Sequence, residues 1–208
     1  MADDEPPRRG PAWGRLLAES VLIVLSILLA LGADAWREGR IERDRREAAL
    51  DNVRAEIEAN IAALASVLPY HVEVLGRLGE TVGADHGVAG FAVLAGVAPR
   101  GLQSPDIRRT AWLTALSSGV VASFDYDTIY ALSGLYDTQE QGVMTTVGRI
   151  TDMLFSTELH DPTRVGIALA RIDALTRELV GQEEYLLGRS REVLAALAPA
   201  GPATPPRG

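Results

Sequence analysis

The strongest pattern in the chain is an uninterrupted apolar run near its N-terminus. Residues 20–33, SVLIVLSILLALGA, contain no charged side chain. Extended to Leu16 and Trp36, the run covers about 21 residues, or roughly 31 Å of α-helix, which matches the hydrocarbon thickness of a bilayer. A helix that is apolar on every side suits lipid better than the half-buried surface of a soluble bundle. The pattern predicts a transmembrane helix over residues 16–36, after a disordered N-terminal tail over residues 1–15.

Beyond residue 36, apolar residues recur every three or four positions, which is the period of an α-helix. The juxtamembrane helix and the last helix carry the longest stripes. Pro69 is predicted to kink or interrupt the juxtamembrane helix, and residues 83–104, rich in Gly and Ala, are predicted to form a loop with a short helical turn near Phe91 to Leu94. The stripes are Leu50, Val53, Ile57, Ile61, Leu64 and Leu68, and then Ala168, Ile172, Leu175, Leu179, Leu186, Val193 and Leu197.

Shorter helices are predicted between the juxtamembrane helix and the last helix, each with residues that typically begin or end a helix. Ser104 or Asp106 is expected to cap a helix that ends at Gly119, a residue suited to the left-handed position after a helix. Another helix starts near Asp125, helical spacing resumes from about Gln141 to Phe155, and Asp161-Pro162 supplies a cap and a first-turn proline for the last helix. We therefore predict an all-α fold: one transmembrane helix continuing into a long juxtamembrane helix, then a helical bundle within residues 37–198. The tail, residues 199–208, is predicted to be disordered.

Composition agrees with helix packing and excludes several classes of function. Hydrophobic residues make up 47% of the 208 residues but aromatic residues only 5%, so Ala, Leu and Val must fill the core. The net charge of −8 argues against a nucleic-acid-binding surface. Because the chain has no cysteine, it has no disulfide, no thiolate nucleophile and no cysteine metal site.

A cleaved export signal is the alternative to an anchor. Arg8, Arg9 and Arg15 form a positive segment before the apolar run, and Ala33-Asp34-Ala35 has the Ala-x-Ala form of a cleavage site. Against this interpretation, Glu19 interrupts the start of the run and arginines follow it at once. Basic residues that flank a transmembrane helix tend to stay on the cytoplasmic side. Six arginines within twenty residues after the run therefore argue against export and favour a cytoplasmic C-terminal domain.

Four residues near the ends of the predicted transmembrane helix are interpreted as interface anchors. Trp13 and Trp36 place amphipathic rings at the two interfaces. Glu19 and Asp34 are about 22 Å apart along the helix, and each can reach headgroup water. A proton or ion relay through these two acids is the alternative, and it would need partner helices.

One side of the same helix carries small and polar residues. Ser26, Ala30 and Ala33 lie within about 60° of one another and of Glu19. Such a stripe allows close approach of a second helix in lipid, so it predicts association with another copy or with a partner membrane protein. Simple tolerance of Ala and Ser in the helix is the alternative.

Little in the remaining sequence indicates chemistry. The histidines His71, His86 and His160 have no metal-ligand spacing and are interpreted as loop or surface residues. Ser117-Ser118-Gly119 lacks the frame of a nucleophile elbow, and we predict neither an enzyme nor a bound cofactor or metal. A candidate pocket between two helices is formed by aromatic residues that equally suit core packing, namely Trp112, Tyr126, Tyr130 and Tyr136.

Two stretches together resemble a family of uncharacterised bacterial single-pass membrane proteins of a domain-of-unknown-function class. The first is Glu19, Ala30-Leu31, Trp36 and Glu38, and the second is residues 110–137, TAWLTALSSGVVASFDYDTIYALSGLYD. The resemblance covers residues 17 to about 140 and implies an uncleaved anchor in the bacterial inner membrane, with no assigned activity. The family often has Gly where Ser26 stands and an amide where Asp34 stands, which weakens a proton-carrying role for Asp34.

Three functions are consistent with the sequence. The first is non-catalytic assembly with itself or with membrane partners, in contact with lipid. The second is a signal-input module that binds a small ligand between helices 107–118 and 125–138. The third is an accessory subunit of an ion-driven membrane complex that uses Glu19 or Asp34.

Overall fold

The computed structural model describes residues 13–82 and 90–198, except the side chain of Arg15. Within these residues the chain is helical and contains no β-strand, which confirms the all-α prediction. Residues 1–12, 83–89 and 199–208, and with them His86, the C-terminal tail and most of the N-terminal tail, lie outside the described part. The helices are α1 (Trp13–Thr81), α2 (Gly90–Val97), α3 (Thr110–Ser117), α4 (Tyr126–Asp137), α5 (Thr145–Leu154) and α6 (Val165–Ala196). A π-helical segment, Thr138–Met144, connects α4 to α5.

The chain divides into two compact units, Met1–Glu47 and Ala48–Gly208. In the first unit, the apolar part of α1 is long and apolar enough to cross a membrane, and the side chains in that stretch are exposed. The prediction of one helix near the N-terminus that is long and apolar enough to cross a membrane is confirmed. Val53 is the first fully buried apolar residue along the described chain.

The core of the second unit consists of two clusters that share α1 and α6. Arg54 Nε donates to the Leu197 carbonyl at 2.7 Å, and His71 lies against Glu183, so this part of α1 and α6 run antiparallel. The predicted stripes are buried or half-buried as expected. The first cluster includes Val53, Ile57, Leu64, Leu179, Leu186 and Val193, and the second includes Tyr70, Val74, Leu78, Leu94, Leu159, Leu169 and Ile172.

Pro69 does not interrupt α1, so that alternative was wrong. The helix runs through Pro69 to Thr81. A proline inside a helix removes one backbone hydrogen bond and crowds the preceding turn. Leu64 and Tyr70, on either side of it, are buried in different clusters, and this packing outweighs the local cost of the proline.

The predicted loop contains a helix that is longer than the expected turn. Helix α2 covers Gly90–Val97 and buries Gly90, Leu94 and Val97 against the second cluster. A side chain at Gly90 would come within 2.5 Å of Val165 Cγ2, so only glycine permits this close approach. Burial of its apolar face stabilises α2 although its Gly and Ala content suggested a loop.

Of the residues predicted to begin or end helices, Asp125 and Gly119 were predicted correctly and Asp161 was not. Asp125 accepts from Thr128 N at 2.8 Å and caps α4, and Gly119 adopts a left-handed φ of 75° after α3. Asp161 is not the cap of α6. It accepts from the Thr163 hydroxyl at 2.7 Å and from the Thr163 amide at 2.9 Å in the preceding turn. These hydrogen bonds hold the pKa of the Asp161 carboxyl below its usual range.

Neither Ser104 nor Asp106 caps α3, and a residue of α1 performs this role instead. The Glu56 carboxylate accepts from Ala111 N at 2.7 Å and from the Tyr136 hydroxyl at 2.7 Å. An anion at a helix N-terminus satisfies free amide groups and interacts favourably with the helix dipole. Glu56 therefore connects α1, α3 and α4 through one side chain.

Glu56→Ala should lower the free energy of unfolding by about 2–3 kcal/mol, because it removes the hydrogen bonds that the Glu56 carboxylate accepts from Ala111 N, Trp112 N and the Tyr136 hydroxyl. The control is Glu58→Ala, an exposed residue of the same helix, which should change stability by less than about 0.5 kcal/mol. Denaturant titration of the full chain in detergent, followed by circular dichroism, measures both. Equal effects of the two substitutions would contradict the capping role.

Candidate functional site

A buried histidine and a buried glutamate face each other between α1 and α6. His71 is 2% exposed and Glu183 is fully enclosed. Nδ1 of His71 lies 2.9 Å from each carboxylate oxygen of Glu183. Burial of two titratable side chains is costly unless they bond to each other. The pair is thus a buried polar contact that joins α1 to α6.

The other nitrogen of the same imidazole is unsatisfied. Nε2 of His71 is buried and has no hydrogen-bond partner among the residues that the structure describes. Most buried polar atoms in proteins are hydrogen-bonded, so an exception at a buried ring nitrogen requires an explanation. An unpaired buried donor or acceptor costs about 1–3 kcal/mol.

His71 lines a cavity of about 190 Å³ that lies between the two core clusters. Glu183 is not among the lining residues. The walls come from α1, α2, α5 and α6 and from the segment after α2. They comprise Tyr70, His71, Val74, Leu78, Phe91, Leu94, Ala95, Ala98, Gly101, Leu102, Ile150, Leu154, Phe155, Ile172, Thr176 and Leu179.

Of these described lining residues, three carry polar side-chain atoms, and two of the three are already engaged. The Tyr70 hydroxyl donates to the Gly101 carbonyl at 2.9 Å and accepts from Arg100 N at 3.2 Å. The Thr176 hydroxyl donates to the Ile172 carbonyl at 2.7 Å. The third, His71, has its unpaired Nε2 enclosed by protein, so the lining that the cavity offers is almost entirely apolar.

The mouth of the cavity is marked by two phenylalanines. Phe91 on α2 is 63% exposed and Phe155, at the end of α5, is 82% exposed, and both line the cavity. Large apolar side chains at this exposure usually indicate a site that contacts something apolar. The cavity thus has an apolar rim and apolar walls, which suit a small apolar molecule.

The structure divides the four aromatic residues of the predicted pocket into two pairs. Trp112 and Tyr136 are buried and stack with ring centroids 5.8 Å apart. Burial, together with the Glu56 carboxylate, raises the pKa of Tyr136 above its usual range. Tyr126 and Tyr130 are exposed and stack on each other at 6.3 Å. None of the four lines the cavity described above.

The residues singled out in the apolar part of α1 are all exposed. This holds for the four interface anchors, Trp13, Glu19, Asp34 and Trp36, and for Ser26, Ala30 and Ala33 of the proposed association face. The Ser26 hydroxyl donates to the Leu22 carbonyl at 2.7 Å and is satisfied within its own helix. The Arg40 guanidinium lies over the Trp36 ring, 5.8 Å from its centroid. Assembly through this face stays a prediction.

The interpretation of His71 as a loop or surface residue was wrong, whereas His160 does lie in an exposed turn. The sequence contained a signal for the pair. Glu183 stands four residues after Leu179 and three before Leu186, on the buried stripe of α6, and an acid there needs a buried partner. The structure groups no three metal-binding side chains within its described residues.

Comparison of the chain with protein-family models, with curated proteins and with solved structures finds no match in any of the three.

Proposed function

We propose that this chain is a membrane-anchored, non-catalytic module whose helical unit binds a small apolar molecule in the cavity beside His71. The observation that carries the proposal is an apolar cavity with two exposed phenylalanines, Phe91 and Phe155, in its lining. A bound apolar molecule would fill this space and remove apolar surface from water. This is the ligand-sensing role expected from the sequence, at a different place in the bundle.

The size of the cavity limits the size of the bound molecule. An engineered apolar cavity of about 150 Å³ accepts benzene. The cavity here is about 190 Å³ and is bordered by the exposed Phe91 and Phe155. It therefore suits a molecule somewhat larger than benzene, such as a substituted single ring or a short branched chain.

The chemistry of the lining favours binding over catalysis. The Tyr70 and Thr176 hydroxyls donate to backbone carbonyls, so neither lies beside a base that would activate it as a nucleophile. His71 uses Nδ1 to contact Glu183. Among the described lining residues, the imidazole thus has no activated partner with which to carry out group transfer.

Membrane anchoring is the second part of the proposal. The exposed, apolar N-terminal part of α1 supports a single pass, and the arginines that follow it support a cytoplasmic helical unit. The resemblance of residues 17 to about 140 to bacterial single-pass proteins supports an inner-membrane location.

Blocking the mouth of the cavity should abolish binding. Ala95→Trp places an indole on an exposed position of α2 that lines the cavity, whereas Ala92→Trp alters an exposed position of the same helix that does not. We expect Ala95→Trp to weaken binding of isopropylbenzene about tenfold or more, a loss of about 1.4 kcal/mol. Ala92→Trp should change binding by less than about twofold.

Methyl NMR of the full chain in detergent, labelled at isoleucine, measures this binding. Ile150 and Ile172 line the cavity and report occupancy. Ile23 and Ile27 lie in the exposed apolar part of α1 and report partition of the probe into the micelle. If Ile150 and Ile172 respond no more than Ile23 and Ile27, or respond equally in Ala95→Trp, the proposed function is wrong.

A further inference from the structure

An exposed aromatic surface lies on α4, and none of its residues lines the cavity. Tyr126 and Tyr130 are 78% and 70% exposed, and their rings stack with centroids 6.3 Å apart. Gly134 and Asp137 follow within about 80° of the two tyrosines around the helix. Both are exposed, and the space above Gly134 is open. We call Tyr126, Tyr130, Gly134 and Asp137 the tyrosine face.

We propose that the tyrosine face binds the chain's own proline-rich tail, residues 199–208. The tail, PAGPATPPRG, has prolines at four of its ten positions. Proline-rich segments favour the polyproline II conformation, which docks on surfaces lined by aromatic rings and loses little conformational entropy on binding. Exposed, stacked tyrosines provide such a surface.

The charges of the two partners are complementary. Arg207 is the only charged side chain of the tail. Helix α4 contains no basic residue. Asp137 stands at the far end of the tyrosine face and Asp127 stands beside Tyr126, and both carboxylates are exposed. A bound tail that places its arginine on this side of α4 therefore meets carboxylates and no positive charge.

The described part of the chain ends near the start of α4. Two contacts with α1 give the direction of α4: the Tyr136 hydroxyl donates to Glu56 at 2.7 Å, and the next turn places Gln139 at 3.2 Å from Asn60. Helix α4 thus runs parallel to this part of α1. Helix α6 runs antiparallel to it and ends beside the same part of α1. The end of α6 and the start of α4 therefore lie at the same end of the second unit.

The length of the tail matches the length of the tyrosine face. Four residues separate Ala198 from Pro202 and can span about 13 Å, which exceeds the diameter of one helix. From Pro202 to Arg207 a polyproline II segment is about 15 Å long. From Tyr126 to Asp137 the helix is about 16 Å long. A tail that begins on Tyr126 with Pro202 therefore brings Arg207 to Asp137.

A weak contact is sufficient for this docking, because the tail is tethered to the surface that it binds. A short flexible connection gives an effective concentration in the millimolar range. A contact with a dissociation constant of about 1 mM between separate molecules would then be occupied in roughly half of the chains or more.

A spin label on the tail tests the proposal in the full chain in detergent. Because the chain has no cysteine, Thr204→Cys provides a single attachment site. Ring-labelled tyrosines report the label by paramagnetic relaxation enhancement. We expect strong enhancement at Tyr126 and Tyr130 and none at Tyr185, an exposed tyrosine of α6. Equal enhancement at the three tyrosines would overturn the proposal.

Charge reversal separates specific docking from simple proximity of a tethered tail. In the labelled chain, Arg207→Glu should reduce the enhancement at Tyr126 and Tyr130 about twofold or more, the value of one exposed ion pair. Asp137→Arg/Arg207→Glu should restore it. Asp152→Arg/Arg207→Glu has the same net charge but changes an exposed acid of α5, and it should not restore it. If Arg207→Glu has no effect, or if both double variants restore the enhancement equally, the proposal is wrong.

A mixed sample identifies the source of the bound tail. Spin-labelled chains without isotope are mixed with isotope-labelled chains without a spin label. We expect no enhancement at Tyr126 and Tyr130 in this mixture. Enhancement there would show that the tail of a second copy occupies the tyrosine face, which overturns docking within one chain.

Discussion

His71→Phe is expected to lower the free energy of unfolding by about 3 kcal/mol, because it leaves the buried Glu183 without its hydrogen-bond partner. The phenyl ring keeps most of the volume of the imidazole, so loss of packing contributes little. The cost arises at Glu183, which is fully enclosed and whose two carboxylate oxygens both lie 2.9 Å from Nδ1 of His71. Without the imidazole, the enclosed carboxyl group of Glu183 loses this hydrogen-bond partner.

The double variant His71→Phe/Glu183→Leu should recover most of this loss, because two apolar side chains replace the pair and leave no unpaired polar atom. His160→Phe is the matched control: it changes an exposed histidine and should alter stability by less than about 0.5 kcal/mol. Denaturant titration of all four full-length chains in detergent gives the comparison. If the double variant is less stable than His71→Phe, the energetic role assigned to the pair is wrong.

The stabilising contact between His71 and Glu183 helps to explain how a cavity persists between the two core clusters of the second unit. A void between two packed clusters would normally be filled or would collapse, since interiors are close-packed. The bonded pair of His71 and Glu183 holds α1 and α6 at fixed separation beside the cavity. The same interaction that costs stability when broken therefore supports one wall of the cavity.

The sequence predicted those features that depend on neighbouring residues. The three-and-four spacing of Val53, Ile57 and Leu64 placed them in the core, and they are buried. The uncharged run after Glu19 predicted a helix long and apolar enough to cross a membrane, and Gly119 was assigned its left-handed turn. Each of these depends on a helical period or on one residue's backbone preference, and both are readable along the chain.

Features that depend on the alignment of distant helices were not predicted. His71 and Glu183 are 112 residues apart, and only the antiparallel register of α1 and α6 brings them together. Glu56 reaches the N-terminus of α3 from 55 residues away, in place of a local cap. No periodicity specifies such a register, so an acid on a buried stripe shows that a partner is needed without showing which one.

The π-helical segment is a further case. The sequence suggested a break between the helices at 125–138 and 141–155, but the chain continues through Thr138–Met144 with a wider turn. The wider turn changes which side chains face the core, and Gln139 is buried beside Asn60. The Asn60 Nδ2 group donates to Gln139 Oε1 at 3.2 Å and to the Arg108 carbonyl at 2.7 Å. A pattern analysis that assumes a constant period interprets such a shift as an interruption.

The second large effect is expected in the apolar part of α1. Leu25 and Leu28 lie near the middle of the predicted transmembrane helix and are exposed. Arginine near the centre of a transmembrane helix costs about 2.5–3.5 kcal/mol on insertion scales, so Leu25→Arg/Leu28→Arg should disfavour insertion by roughly 5–7 kcal/mol. We expect the wild-type chain to remain in the membrane fraction after alkaline carbonate extraction and the double-arginine chain to leave it.

Leu25→Ala/Leu28→Ala is the matched control, because it shortens the same two side chains without adding charge and should leave the protein in the membrane fraction. Intact mass of the extracted wild-type chain tests the competing export signal in the same experiment. A chain that begins at Trp36 would show cleavage after Ala35, and its membrane anchor would be absent. A full-length chain that stays soluble without detergent would show that the exposed apolar face of α1 has a partner other than lipid. Cleavage after Ala35, or solubility of the full-length chain without detergent, would refute the anchored module proposed for this protein.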